Sequence, residues 1–208
     1  MDRTVQAYDQ TNYLEWRLNE EVERKRNGQP TFWEPELLYF LSLVSNRCLV
    51  EIGAGPGVEA EYLLNHGNFD SYTGIEPALK LANYAKRRLK KEFGPKVNIK
   101  TLTLQQFEPR CKYQALLAIC SLIHIKNIRK ALCKLRSICS DGAFAMFVMD
   151  EGRGSVKVRT NTKGMTFYYY TYAEFVELLQ ESRFTVLDKS GVVERAKVNW
   201  QVYYVRAV

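Results

Sequence analysis

Residues 48–57, Cys-Leu-Val-Glu-Ile-Gly-Ala-Gly-Pro-Gly, constrain the fold of this chain more than any other stretch. They predict a short apolar strand that ends in an acid and runs into a glycine-rich turn. Residues 59–65 follow with helical character. Glycine lets the backbone turn tightly and approach a ligand closely, because it has no Cβ. A strand, a glycine loop and a helix N-terminus together predict a site for the polar part of a nucleotide-like cofactor.

The spacing of the glycines narrows the choice of cofactor. A dinucleotide-binding loop has the pattern G-x-G-x-x-G. Here Gly53, Gly55 and Gly57 give G-x-G-x-G, and Val58 takes the place of the third glycine of that pattern. The acid before the loop, Glu51, suits a cationic or amine-bearing ligand better than a pyrophosphate. Both departures argue against NAD.

A second acid follows the glycine loop at the spacing that is typical of a ribose-binding acid. The run Ser71–Ile75 has the character of a short strand, and Glu76 ends it nineteen residues after Gly57. An acid at the tip of the second strand can accept hydrogen bonds from both hydroxyls of a ribose. Pro77 then suits the first turn of a helix, where its missing N–H costs nothing.

This order of motifs resembles the class I S-adenosylmethionine-dependent methyltransferases, and the resemblance covers roughly residues 37–208. It implies an α/β fold, a three-layer αβα sandwich around a seven-stranded, mostly parallel sheet whose last strand is antiparallel. It implies S-adenosylmethionine as the cofactor and S-adenosylhomocysteine as the product. The cofactor-binding residues that it implies on the first two loops are Glu51, Gly53, Ala54, Gly55, Gly57, Glu76 and Pro77.

The chain departs from the family pattern at two places. The loop after the third strand normally carries an acid that holds the adenine amine, but residues 102–107 contain no carboxylate. The adenine contact is therefore expected from Thr103, Leu104 or Gln105. The pair Tyr113-Gln114 likewise replaces the usual Phe-Asp at the start of strand four. These departures keep a non-catalytic binding protein on the same fold as an alternative.

The end of strand four points to the substrate. Residues 119–125, Ile-Cys-Ser-Leu-Ile-His-Ile, resemble the corresponding segment of small-molecule methyltransferases, and Cys120 is expected to complete the cofactor site. The Pro-Pro-aromatic signature of DNA-base amine methyltransferases and the paired-glutamate loop of protein arginine methyltransferases are both missing. We therefore expect a small-molecule acceptor that is methylated on N or O.

The candidate catalytic residues are His124 and Tyr13. His124 is the base if the acceptor must lose a proton, and the alternative is a structural histidine that holds its loop by backbone hydrogen bonds. Aromatic walls favour a flat or cationic acceptor. The residues expected to bind it are Tyr8, Trp16, Asp150, Tyr168 and Tyr170.

The chain divides into an N-terminal helical segment, residues 1–35, and a Rossmann-like domain, residues 36–208. The first segment is expected either to close as a lid over cofactor and substrate or simply to dock on the core. Strands alternate with helices in the second, which predicts a parallel sheet covered on both faces. The predicted elements are helix 36–44, strand 48–52, a helix from 58, strand 71–75, helix 78–91, strands 97–102 and 114–120, helix 127–139, strand 142–149, helix 173–181 capped by Thr171, and terminal strands 183–193 and 199–207.

Composition bounds the remaining possibilities. The chain has 208 residues, 46% of them hydrophobic and 25% charged, as in one soluble domain. With no apolar run long enough to span a bilayer, we expect a cytoplasmic protein without a membrane partner. Five cysteines without C-x-x-C spacing are expected to be buried free thiols, and two histidines predict no metal site.

Much of the net charge of +7 lies on and just after the predicted helix 78–91, at Lys86, Arg87, Arg88, Lys90, Lys91 and Lys96. A solvated helix face is the favoured interpretation. The alternative is a docking face for an RNA or protein substrate, so nucleic acid stays a less favoured partner. The sequence does not indicate an oligomeric state.

Overall fold

The computed structural model describes residues 3–29, 31–44, 47–151, 157–195 and 198–208. The helices in these ranges are α1 (Arg3–Gln10), α2 (Tyr13–Arg26), α3 (Glu34–Leu43), α4 (Val58–His66), α5 (Leu79–Phe93), α6 (Ile128–Ile138) and α7 (Tyr172–Glu181). The strands are β1 (Cys48–Ile52), β2 (Ser71–Ile75), β3 (Val97–Lys100), β4 (Tyr113–Ile119), β5 (Cys139–Asp150), β6 (Val158–Thr160), β7 (Thr166–Tyr168), β8 (Phe184–Val186), β9 (Gly191–Arg195) and β10 (Val198–Ala207). The predicted alternation of strands and helices is confirmed.

The main sheet has the strand order β3-β2-β1-β4-β5-β10-β8, and β9 pairs with the free part of β10. Neighbouring strands from β3 to β5 are parallel, whereas β10 is antiparallel to β5, β8 and β9. The parallel sheet with an antiparallel last strand is therefore confirmed. In the register, Glu51 of β1 lies beside Gly74 of β2 and Leu117 of β4, at the centre of the sheet.

The C-terminal hairpin differs from the prediction, because the expected strand 183–193 is two strands, β8 and β9. The break follows from Ser190, whose N–H donates to the Leu187 carbonyl and whose hydroxyl both donates to the Tyr204 carbonyl and accepts from the Tyr204 N–H. These bonds turn the chain, and the described part of the main sheet has eight strands. The small antiparallel sheet β6–β7 was not predicted either, and part of the polar insertion 151–164 lies outside the described residues.

Both faces of the sheet are covered, which makes the three layers. Alternate residues of β4 supply the two sides: Leu116 and Ala118 belong to the core that includes α6 and α7, while Ala115 and Leu117 belong to the core that includes α3, α4 and α5. All four are completely buried. A strand buried on both faces has a continuous apolar run rather than an alternating one, and this explains the sequence of β4.

Polar caps fix where helices begin. Thr171 precedes α7, accepts a hydrogen bond from the Glu174 N–H and donates its own N–H to the Glu174 carboxylate. This capping box confirms the predicted cap. Asn127 caps α6 in the same manner, with its side-chain oxygen accepting from the Lys130 N–H.

Helix α2 packs against α4 and α5 mainly through ion pairs. Its one buried residue is Glu21, which accepts hydrogen bonds from Arg88 of α5. Arg88 also donates to Glu61 of α4, and Lys25 forms ion pairs with both acids. Arg88 is thus withdrawn from the predicted basic face of α5, since only 12% of its side chain is exposed.

The cysteines differ in their exposure to solvent. All five cysteines are free, but Cys111 and Cys133 are exposed, so the expectation of burial is wrong for these two. Both lie where the chain meets solvent, Cys111 in a turn before β4 and Cys133 on the outer side of α6. Among the described residues, no helix has the length and apolar character needed to cross a membrane.

Candidate active site

A cavity of about 560 Å³ lies over the carboxyl ends of β1, β2 and β4, and helices α1 and α2 form its outer wall. Ligands of open α/β sheets bind at this edge, where the loops after neighbouring strands diverge. Tyr8 of α1 and Tyr13 and Arg17 of α2 line the wall, opposite the glycine loop. Residues of α1 and α2 and of the loops at this edge of the sheet therefore line one cavity.

The glycine loop is shaped by its contacts with neighbouring loops. Gly53 has a φ of +74°, and an ideal Cβ built on it would lie 2.4 Å from the Ser121 Cβ. Only glycine satisfies both constraints. Gly57 has a φ of +83° at the start of α4 but does not line the cavity, and a Cβ there would meet the Leu89 side chain at 3.0 Å. The requirement for glycine at position 57 is thus one of conformation and packing.

Glu76 is held in one orientation by two backbone donors. Its Oε2 accepts from the Gly55 N–H at 2.9 Å and its Oε1 from the Ala78 N–H at 2.9 Å. Burial raises the pKa of Glu76 to about 7, against the lowering effect of these two hydrogen bonds. Each oxygen of an ionised carboxylate has a second lone pair, so Glu76 can still accept from ribose hydroxyls.

Glu51 is buried beneath the loop and accepts a hydrogen bond of 2.6 Å from the Tyr72 hydroxyl. Burial raises its pKa well above the ordinary value, although the Tyr72 hydrogen bond acts in the opposite direction. Glu59 and Glu76 raise the pKa further because they are like charges nearby. This acid-rich floor suits a ligand that carries an ammonium or a sulfonium group.

Arg17 is a half-buried cation in the same cavity. Its guanidinium donates to Glu59 at 3.1 Å and to Glu20 at 3.1 Å. Burial opposes its charge, yet the Glu59 carboxylate holds the pKa of Arg17 above its ordinary value. Arg17 therefore stays charged and can meet an anionic group of a ligand.

His124 links α1 to β7 through its two ring nitrogens. Its Nδ1 lies 2.8 Å from the Thr166 carbonyl oxygen, which can only accept, so Nδ1 carries the proton of the neutral ring. Its Nε2, 2.8 Å from the Tyr8 oxygen, then accepts from the Tyr8 hydroxyl. Burial raises the pKa of Tyr8, which keeps that hydroxyl protonated. Thr4 supports the junction by accepting from the Thr166 N–H at 3.2 Å.

The other aromatic residues predicted for the site fall into two groups. Tyr13 lines the cavity, its ring centroid lies 4.7 Å from that of Tyr8, and burial raises its pKa to about 12. Trp16 contacts Tyr13 but does not line the cavity, and it is 54% exposed. The reason is helical phase, because Tyr13 and Arg17, four residues apart, occupy the inner face of α2.

Three more predicted substrate residues lie away from the cavity lining. Asp150 ends β5 opposite Trp200, and Tyr168 ends β7. Tyr170 packs on Phe175. Their role in substrate binding, like that of Trp16, stays a prediction.

Cys120 lines the cavity and adopts a left-handed conformation with a φ of +53°. Burial raises the pKa of its thiol. The next residue, Ser121, has a buried hydroxyl with no hydrogen-bond partner within the described residues. A buried polar atom without a partner is costly, and Ser121 belongs to the cavity lining. Three further lining residues were not predicted, namely Ser121, Arg17 and Glu59, because none has a sequence signature that separates it from other polar residues nearby.

The residues present fit an adenosyl-amino acid cofactor. The remaining members of the predicted set, Ala54, Pro77, Thr103 and Leu104, line the same cavity. No three His, Cys, Asp or Glu side chains in the described ranges form a group that could hold a metal ion. Glu76 suits the ribose, and the glycine loop with Glu51, Glu59 and Arg17 suits the charged methionine end.

Comparison with known proteins agrees with this assignment. The profile of the methyltransferase domain family matches residues 23–189. A search of curated proteins finds no significant match. The chain therefore belongs to the methyltransferase domain family, and the prediction of an S-adenosylmethionine-dependent enzyme is confirmed.

Solved structures share the fold at low sequence identity. Magnesium protoporphyrin IX methyltransferase from Synechocystis PCC 6803, with bound S-adenosylmethionine, is 15% identical with a TM-score of 0.74, covering 100% of this chain and 98% of that one. The 1,6-didemethyltoxoflavin-N1-methyltransferase of Burkholderia thailandensis is 17% identical with a TM-score of 0.71, covering 91% and 86%. The cyclase SpnF is 13% identical with a TM-score of 0.77, covering 100% and 97%. These similarities establish the class I methyltransferase fold.

Proposed function

We propose that this enzyme methylates a small aromatic molecule at a hydroxyl oxygen or a ring nitrogen whose proton must leave. The observation that carries the proposal is the hydrogen bond of 2.8 Å from the Tyr8 hydroxyl to His124 Nε2. An alkyl amine is nucleophilic in its neutral form and needs no such base. A phenol or an N–H heterocycle becomes a good nucleophile only when its proton is removed.

The cofactor supplies an electrophilic methyl group on a sulfonium sulfur. The residues of this chain would bind and orient it: Glu76 would accept from the ribose hydroxyls, and Arg17 would pair with the methionine carboxylate. Glu51 and Glu59 line the same cavity and, when ionised, would pair with the positive charge of the cofactor. Positioning two reactants in this way accounts for much of the rate of a direct displacement.

The proton of the acceptor leaves through two residues. The acceptor donates its hydrogen bond to the Tyr8 oxygen, and the Tyr8 hydroxyl proton passes to His124 Nε2. The product of this relay is a neutral Tyr8 and an imidazolium whose Nδ1–H stays on the Thr166 carbonyl. Because burial raises the pKa of Tyr8, the Tyr8 hydroxyl keeps its own proton until the acceptor donates to it. Tyr13, at the edge of the Tyr8 ring, is proposed to pack against the flat acceptor.

The N-terminal segment is proposed to act as a lid. Its helices contribute Tyr8, Tyr13 and Arg17 to the cavity, so the site is complete only when they are docked. The docking of α2 depends on ion pairs around Glu21 and Arg88 rather than on buried apolar side chains. Such contacts can separate and re-form more readily than an apolar core.

The alternatives weighed from the sequence find less support. Family membership and the intact pair Glu51 and Glu76 favour an enzyme over a non-catalytic binding protein. An RNA or protein substrate would dock on α5, but Arg88 in that basic cluster is committed to internal ion pairs.

The test compares acceptors of graded acidity in the native enzyme and in Tyr8→Phe. Formation of S-adenosylhomocysteine is measured with phenols, N–H heterocycles and alkyl amines. We expect phenols and heterocycles to be methylated, and Tyr8→Phe to lower kcat about 10²- to 10⁴-fold for weakly acidic phenols. The loss should shrink for acidic phenols, which are already ionised at neutral pH.

Tyr84→Phe is the matched control, since Tyr84 lies on α5 outside the cavity lining. It should leave kcat unchanged. Equal rates in native enzyme and Tyr8→Phe across the phenol series would refute the relay, as would a preference for alkyl amines.

A further inference from the structure

The loop after β3 lines the cavity with three residues, and the resemblance to class I methyltransferases implies that this loop meets the base of the cofactor. The sequence left Thr103, Leu104 and Gln105 as candidates. Thr103 is occupied, because its N–H donates to Gln106 Oε1 at 2.9 Å and its hydroxyl to the same atom at 3.1 Å. Leu104 is apolar and 3% exposed within the core. Gln105 lines the cavity and its side chain is solvent-exposed, and no hydrogen bond within the described residues occupies its amide.

No carboxylate is available at this end of the cavity within the described residues. Of the acids that line the cavity, Glu51 accepts from Tyr72, Glu59 from Arg17, and Glu76 from two backbone N–H groups. All three belong to β1, α4 and the end of β2. The side chains lining the cavity near the β3 end and the start of α6 are instead amides and ammonium groups, namely Gln105, Lys126, Asn127 and Lys130.

We infer that Gln105 recognises the cofactor's base, and that the site takes a 6-oxopurine cofactor as well as the 6-aminopurine one. The physical reason is that an amide side chain can both donate and accept hydrogen bonds. A carboxylate only accepts hydrogen bonds and so matches a 6-amino group alone. An amide accepts from the 6-amino group of adenine and donates to N1. Turned by half a rotation, it donates to the 6-oxo group of hypoxanthine and accepts from N1–H.

This inference rests on the cofactor site and is independent of the acceptor chemistry proposed above. It changes what the protein is expected to bind. The deaminated product analogue, S-inosylhomocysteine, should be a ligand of the same cavity.

The experiment is calorimetric titration of the full chain with S-adenosylhomocysteine and with S-inosylhomocysteine. In the native protein we expect the two dissociation constants to agree within about tenfold, the difference of roughly one hydrogen bond. In Gln105→Glu, S-adenosylhomocysteine should bind nearly as before. S-inosylhomocysteine should bind at least about 100-fold more weakly, because the carboxylate faces a 6-oxo group that cannot donate.

Two further variants complete the design. Gln106→Glu makes the same chemical change one residue along, outside the cavity lining, and glutamate keeps the capping box. It should leave both affinities unchanged. Gln105→Leu should weaken both ligands to a similar extent, about five- to tenfold.

Native discrimination greater than 100-fold against S-inosylhomocysteine would overturn the inference. So would an unchanged ratio in Gln105→Glu that is folded by its thermal transition. Failure of S-adenosylhomocysteine itself to bind would remove the cofactor site and this inference together. Intact binding with no methyl transfer would count against the proposed acceptor chemistry alone.

Discussion

The Arg17 guanidinium donates a hydrogen bond of 3.1 Å to Glu59, and this ion pair joins α2 to the first turn of α4 at the cavity wall. Both side chains are largely buried, with 18% and 7% of their surfaces exposed. The other cations of the cavity lining, Lys126 and Lys130, are exposed. Arg17 is therefore the cation best placed to meet a carboxylate inside the cavity.

The first prediction concerns this residue. Arg17→Met combined with Glu59→Gln, which avoids an unpaired buried acid, should weaken S-adenosylhomocysteine about 10- to 100-fold. Methylthioadenosine, which lacks the amino-acid end, should bind equally to variant and native protein. Titration of both ligands separates the two effects. An equal loss for methylthioadenosine would mean that Arg17 supports the cavity rather than the carboxylate.

Glu76 makes stability depend on pH. Burial raises its pKa to about 7, so the folded protein retains a proton that the unfolded chain releases above about 4.5. Its contribution is fully present below the unfolded pKa and is lost as the pH rises towards 7. The free energy of unfolding should therefore fall between pH 5 and pH 7 by about 2 kcal/mol more in the native protein than in Glu76→Gln. Denaturant titrations at both pH values test this, and parallel pH profiles would contradict it.

Gly53 is predicted to tolerate no side chain. Gly53→Ala places a Cβ at 2.4 Å from the Ser121 Cβ in a residue with a φ of +74°. We expect a loss of at least about 3 kcal/mol in unfolding free energy, because a steric clash adds to backbone strain. Gly28 is the matched control, since it has a φ of +70° and open space around its Cβ position. Gly28→Ala should cost only about 1 kcal/mol, and a similar loss in both variants would exclude the clash.

Arg88 is predicted to hold α2 in place. Arg88→Met leaves the buried Glu21 with Lys25 as its remaining ion-pair partner, so α2 should detach more often. Hydrogen exchange of the α2 amides should become about tenfold faster or more in the variant, and faster in the native protein at high salt. Arg87→Met, at the exposed neighbouring position, should change nothing. Unaltered exchange in Arg88→Met would show that other contacts fix α2.

The first two strands and their loops were predictable because their chemistry is local. The run before Glu51, the glycines and the strand that ends at Glu76 each have a sequence signature that does not depend on distant residues. The predicted bounds of β2 agree with the structure residue for residue. Turn chemistry also explains the capping of α7 by Thr171, since the acid three residues later is visible in the sequence.

What the sequence could not provide was the phase and partners of the N-terminal helices. Trp16 was the more conspicuous aromatic, but the inner face of α2 carries Tyr13 and Arg17. Ion pairs of α2 with α4 and α5 determine which face of α2 points inward, and these partners are distant from α2 in the sequence. The Tyr8–His124 contact spans 116 positions for the same reason, so neither residue alone indicated the pair.

A cavity that holds an alkylating cofactor also exposes the protein to its own chemistry. Cys120 lines that cavity, and sulfur is the strongest nucleophile among the common side chains when ionised. Because burial raises the pKa of Cys120, its sulfur stays a neutral thiol and is a poor nucleophile. The burial that keeps this thiol protonated therefore also protects the enzyme from methylating itself.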